Sequence, residues 1–155
     1  MKTLTLIFLS LATFLAAEPL APKRPLGVPA DAKPFNGRWY KVVLEKKTWH
    51  AARDKCKEMG GRLVCVPDAV TWEFLKTLTP ASVWLGATDE VTTGAWIWVD
   101  GTPVGFSAWQ SGQPDNFMGK QHCLAKSKRG DWDDHSRNDN DGPNGISGFI
   151  CEWTK

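Results

Sequence analysis

Residues 113–134 read QPDNFMGKQHCLAKSKRGDWDD, and no other stretch of the chain says as much. Gln113-Pro114-Asp115 and Trp132-Asp133-Asp134 offer side-chain oxygens from two short segments, with Cys123 between them. Pro114 stiffens the first segment, and Trp132 is suited to bury the second. A hard cation such as calcium takes oxygen ligands of this kind, and with open coordination positions it can also hold the hydroxyls of a sugar. The pattern points to a binding module and away from an enzyme.

Working outward, residues 102–121 lack any apolar period and are rich in Gly, Pro, Ser and Asn. An irregular run of about 20 residues inside a compact domain is uncommon and usually functional. Order is expected on both sides of it. Phe35–Leu44 reads as a first strand after the turn-prone Asn36-Gly37. Thr48 opens a helix with Trp49, Ala52, Cys56 and Met59 on one face, stopped by Gly60-Gly61. Leu63–Val66 is a short buried segment, and a second helix spans Asp68–Leu78 with Trp72, Leu75 and Leu78 inward. Val83–Gly86, Trp96–Val99, Cys123–Ala125, Asp131-Trp132 and Gly148–Trp153 are the remaining ordered segments. Two helices, several short strands and one long loop make an α+β domain.

The chain begins Met1-Lys2 and then runs uncharged and apolar to Ala17, which predicts a secretory signal peptide over residues 1–17. A membrane anchor is the rival, but the run falls short of the ~20 residues needed to span a bilayer. Residues 18–34 hold five of the ten prolines and read as an extended linker outside the fold. One domain over residues 35–155 remains. Net charge is +2, or +1 without Lys2, and no basic face stands out. A nucleic-acid or anionic-membrane partner is therefore not indicated. Nine tryptophans stand against one tyrosine; Trp84, Trp96 and Trp98 are assigned to core packing. Cys56, Cys65, Cys123 and Cys151 form an even set behind a signal peptide, which favours disulfides over a zinc site.

Read in order, the motifs resemble the C-type lectin-like domain over nearly all of residues 35–155. They are Trp49-x-x-Ala52-x-x-x-Cys56, Gly60-Gly61-x-Leu63, Trp84-Leu85-Gly86 with Asp89-Glu90, Trp96-x-Trp98 with Asp100-Gly101, Gln113-Pro114-Asp115, Trp132-Asp133-Asp134, and Phe149-Ile150-Cys151-Glu152. The resemblance implies two helices flanking small antiparallel sheets, with a long irregular ligand loop. It implies a Cys56–Cys151 bridge. The family's second bridge lacks its usual partner near Arg137, so Cys65 is the remaining partner for Cys123, and a Cys65–Cys123 pair is expected.

The resemblance also implies one calcium site with Gln113, Asp115, Gln121, Asp133 and Asp134 as ligands, and a cis bond before Pro114. Gln121 stands where glutamate is usual and Asp133 where asparagine is usual, so the number of carboxylates is unchanged at three. A Gln-Pro-Asp tripeptide resembles the galactose-selecting members, with a glycan diol held by Gln113, Asp115, Gln121 and Asp133. Phe117 is either a stacking platform for the sugar or a loop anchor. A second calcium site would need Asp89, Thr93, Asn116 and His122, where only Asp89 is a carboxylate; that site is expected to be absent. The Asn/Asp-rich loop at Asp139–Gly142 lacks EF-hand spacing and reads as a solvated loop.

The leading expectation is a secreted or extracellular calcium-dependent sugar-binding module (periplasmic or cell-surface in a bacterium), gaining avidity from an oligomer. The alternative is a lectin-like domain that binds a protein or another surface without calcium. An enzyme is the weakest reading: His50, His122 and His135 are scattered, and no nucleophile–base pairing is signalled.

Overall fold

Alternating side-chain direction along the strands gives the sheet two apolar faces, and one helix covers each. The computed structural model describes residues 22–138 and 145–154. The signal-peptide segment 1–17 and the 139–142 loop lie outside the described residues. The strands are β1 (Lys33–Phe35), β2 (Arg38–Val43), β3 (Arg62–Leu63), β4 (Val83–Thr88), β5 (Ile97–Trp98), β6 (Cys123–Lys126), β7 (Trp132–His135) and β8 (Gly148–Thr154). The helices are α1 (Trp49–Glu58) and α2 (Ala69–Leu78). Among the described residues the strands join in one sheet of order β1-β2-β8-β4-β6-β7, with β3 on β8 and β5 on β4. The β4–β8 pair is parallel, so the architecture is α+β with one mixed sheet in place of the small antiparallel sheets expected.

Local signals act where the sequence has them. Asn36-Gly37, both at positive φ, turn β1 into β2, so the expected first strand is a hairpin. Thr48 caps α1 by accepting from Ala51 N, and Asp68 caps α2 by accepting from Thr71 N. Gly60 ends α1 at φ 75°. Strand β4 is buried from Val83 to Ala87, which accounts for its unbroken apolar run. Gly86 is required there by close approach: a Cβ would lie 2.8 Å from the carbonyl oxygens of Leu63 and Val64.

On one face Trp49, Ala52 and Cys56 of α1 pack with Trp84, Cys123, Phe149 and Cys151. On the other, Trp72 and Leu75 of α2 pack with Leu85, Trp98, Leu124, Trp132 and Ile150. Trp84 and Trp98 are buried as expected, on the α1 and α2 sides respectively, and Trp96 packs partly buried against the α2-side core. Trp49 Nε1 donates to Leu85 O and Trp84 Nε1 to Lys47 O, each at 2.8 Å, so these indoles carry polar as well as apolar contacts. Glu152 is fully buried on β8 and is held by Arg62 at 2.7 Å and Arg38 at 3.2 Å. A buried carboxylate persists only with such compensation.

Two further expectations are corrected. Val28 and Ala32 are buried in the α1-side core and β1 starts at Lys33, so the last part of the proline-rich segment belongs to the fold. Cys56 and Cys151 are joined, but Cys65 and Cys123 are free, buried thiols. The reason is the sheet itself: Cys65 packs on the α2 side and Cys123 on the α1 side, with strands between them. Burial pushes both thiols far above the ordinary thiol range.

Two measurements follow from this core. Without reductant, a thiol reagent should label neither cysteine in the native chain and two per chain after denaturation; labelling of none after denaturation would mean a second disulfide. Replacing Cys56 and Cys151 by Ser opens a closure across a sequence separation of 95 residues. In urea this should lower stability by about 2–5 kcal/mol.

Candidate functional site

Strand β7 fastens the long loop twice. Trp132 N donates to Ala108 O at 2.8 Å, and Gln110 N donates to Trp132 O at 2.9 Å. The Trp132 ring is fully buried and meets Trp72, Trp98, Phe106 and Trp109 edge-on, at centroid distances of 5.6–5.8 Å. Two residues on, and therefore on the same face, the buried Asp134 carboxylate accepts from Asp115 N at 3.1 Å and Asn116 N at 2.8 Å. The Gln113–Pro114 bond is cis, as expected.

These contacts assemble four of the five expected donors. Gln113 Oε1 and Asp134 Oδ1 share one donor, Asp115 N. Asp115 Oδ1 and Gln121 Oε1 share another, Phe117 N, at 3.1 and 2.9 Å. Asn116 Oδ1 closes the turn by accepting from Gln121 N. The result is two oxygen pairs, each with one carboxylate and one amide. Burial holds the Asp134 carboxyl above its usual range against the pull of the two amides, and the Asp115 charge adds to the rise.

Asp133 is not brought to this group. Burial alternates along β7, so Asp133 points to the other side and pairs with His135 at 3.4 Å in a cleft of about 240 Å³. Among the described residues no three His, Cys, Asp or Glu side chains are gathered as a metal centre. The oxygen set of Gln113, Asp115, Gln121 and Asp134 nevertheless has the hard-donor chemistry that calcium takes. Phe117 is exposed, and so is Met118 beside it, which the sequence reading did not single out. Asp89 is committed elsewhere, bonded to His122 Nδ1 at 2.9 Å and Gly94 N at 2.7 Å. A cleft of about 590 Å³ lies next door, lined by Lys120 and His122 on either side of Gln121 but by none of the five expected donors.

The Lectin C-type domain model matches residues 45–152. The chain belongs to the C-type lectin domain family. This C-type lectin domain is 32% identical over 124 residues to the type-2 ice-structuring protein of Hemitripterus americanus, covering 79% of this chain and 76% of that one. It is 41% identical over 90 residues to C-type lectin domain family 4 member F of Rattus norvegicus, 55% of this chain but only 16% of that protein. Among solved structures it is similar to the mouse scavenger receptor C-type lectin carbohydrate-recognition domain, with TM-score 0.73, 31% identity, and coverage of 82% and 96%. The C-type lectin domain is a binding module and not an enzyme. Each of its three histidines is paired with a carboxylate: His50 with Glu90, His122 with Asp89 and His135 with Asp133.

Asp134→Ala would strip two loop amides of a buried acceptor. A cost of about 1–3 kcal/mol is expected, together with faster hydrogen exchange at Asp115 and Asn116 than at Trp132. Unchanged exchange at those two amides would mean that Asp134 does not hold the loop.

Proposed function

We propose that the domain is a secreted, calcium-dependent carbohydrate-binding module whose site is the cis-proline loop and Asp134. The observation that carries this reading is the pairing of oxygens on shared amides: Gln113 with Asp134, and Asp115 with Gln121. A sugar hydroxyl donates to a carboxylate and accepts from an amide, and each pair supplies one of each. Bound calcium would hold a vicinal diol through its open positions. Gln113, Asp115, Gln121 and Asp134 would then orient the two hydroxyls. Asp133 is left out of this set, in contrast to the five-ligand expectation.

Galactose-type selection remains the reading of Gln113-Pro114-Asp115, with the exposed Phe117 ring as a platform worth about 1 kcal/mol. Such exposed sites bind single sugars near millimolar, about 4 kcal/mol, so several copies on one oligomer or surface would be needed for firm attachment. Secretion is supported by the apolar segment at residues 1–17 and by the Cys56–Cys151 disulfide, which suits an oxidising compartment. Among the described residues no helix is long and apolar enough to cross a membrane.

A second reading, a surface-binding domain that needs no calcium, draws on one observation. Asp133 pairs with His135, and among the described residues two carboxylates, Asp115 and Asp134, accept the loop amides. The ice-structuring relative is a family member named for a non-glycan surface.

Calorimetry separates the two. Calcium should bind with Kd of about 0.1–1 mM, and galactose should then bind in preference to mannose and be released by chelator. Asp115→Asn and Asp134→Asn should each weaken calcium at least tenfold, whereas Asp133→Asn should change it little. No calcium uptake at millimolar supply would leave the calcium-independent reading standing.

A further inference from the structure

The turn that joins β6 to β7 and the end of α2 enclose a second feature, away from the long loop. Ser127 N donates to Asp131 O and Gly130 N to Ser127 O, so the turn projects Lys128 and Arg129 to solvent. Gly130 lies close against Lys76 of α2: a Cβ there would sit 3.2 Å from Lys76 Cδ. Between the two elements is a cleft of about 300 Å³. Among the described residues its charged lining is Lys76, Lys126, Lys128 and Arg129 with one carboxylate, Glu73, which is paired with Lys76 at 2.7 Å. Thr77 and Thr79 add hydroxyls.

Lys126 is the telling member. It is 1% exposed, and its ammonium donates to two carbonyls, Ala81 O at 3.1 Å and Ser127 O at 3.2 Å. Among the described residues it has no carboxylate partner. A buried ammonium is costly without a counter-charge, and burial accordingly pulls its pKa down. In a protein whose net charge is only +2, four cations at one small cleft are a local concentration that the overall balance conceals.

We propose that this cleft is a site for an oxyanion, the sulfate or carboxylate group of an acidic saccharide. An anion seated there would give Lys126 its counter-charge and be gripped from outside by Lys128 and Arg129 through charge-assisted hydrogen bonds. A single small pocket suits one anionic group. A polyanion such as nucleic acid calls instead for an extended basic stripe. None of Gln113, Asp115, Gln121 or Asp134 lines the cleft, so this binding needs no calcium and stands or falls independently of the long-loop site.

The test uses the full chain in the presence of chelator. Binding of a sulfated disaccharide is compared by calorimetry with the same disaccharide unsulfated, with inorganic sulfate as competitor. The sulfated form should bind and be displaced by sulfate, and the unsulfated form should not bind. Lys128→Ala/Arg129→Ala, on the exposed turn, should weaken binding at least tenfold with an unchanged melting temperature. Asp115→Asn should leave it intact. Equal binding of the two disaccharides, or full affinity in the double variant, would overturn the proposal. So would tighter binding to anionic vesicles or single-stranded nucleic acid than to the sulfated sugar.

Discussion

The grip of one short strand on one long loop is what the site depends on. Trp132 and Asp134 lie two apart on β7 and so face the same way. The first closes an aromatic cluster of Trp72, Trp98, Phe106 and Trp109, and the second accepts the amides of Asp115 and Asn116. Edge-on aromatic pairs contribute about 0.5–1.5 kcal/mol each beyond burial. Four of them around one buried indole fix the base of a segment that has almost no regular structure of its own. Asp134 then sets the position of the tip, and the tip's side chains fall into acid–amide pairs because their amides do.

Behind the loop stands a sheet that is buried on both sides. Strands β4 and β8 run parallel at its centre, and each helix covers one face. The Cys56–Cys151 disulfide fastens α1 to β8, while Glu152, one residue on, faces away from it and binds Arg38 and Arg62. Adjacent residues of one strand therefore tie together a helix on one side and the β2 and β3 strands on the other. This rigidity is what allows a polar loop to carry precise contacts.

Much of this was legible beforehand. Helix starts at Thr48 and Asp68, the stop at Gly60 and the central strand at Val83 depend on local chemistry that short motifs carry, whereas the cis bond at Pro114 was implied by the family resemblance. Boundaries were less so: Val28 and Ala32 sit in a proline-rich run whose composition says linker, and only packing against α1-side residues makes them core. The pairing of Cys65 with Cys123 failed because elimination counts cysteines without knowing which face each occupies. Asp133 and Asp134 part for the same reason: Asp133 pairs with His135, while Asp134 holds the loop amides. A motif of adjacent residues reads as one ligand group, but an extended strand turns neighbours to opposite sides.

The basic cleft makes the point from the other direction. Lys76, Lys126, Lys128 and Arg129 come from a helix and a hairpin about 50 residues apart, so no window of sequence shows them as a group. What the amino-acid order determined by itself was the set of elements, their caps and turns, the family, and the chemical identity of the oxygen donors. Those rest on interactions within a few residues, or on motif order. What only the tertiary structure decided was which side chains meet: the two faces of the sheet separated the thiols, turned Asp133 from Asp134, and brought a buried lysine to the cleft beneath the β6–β7 turn.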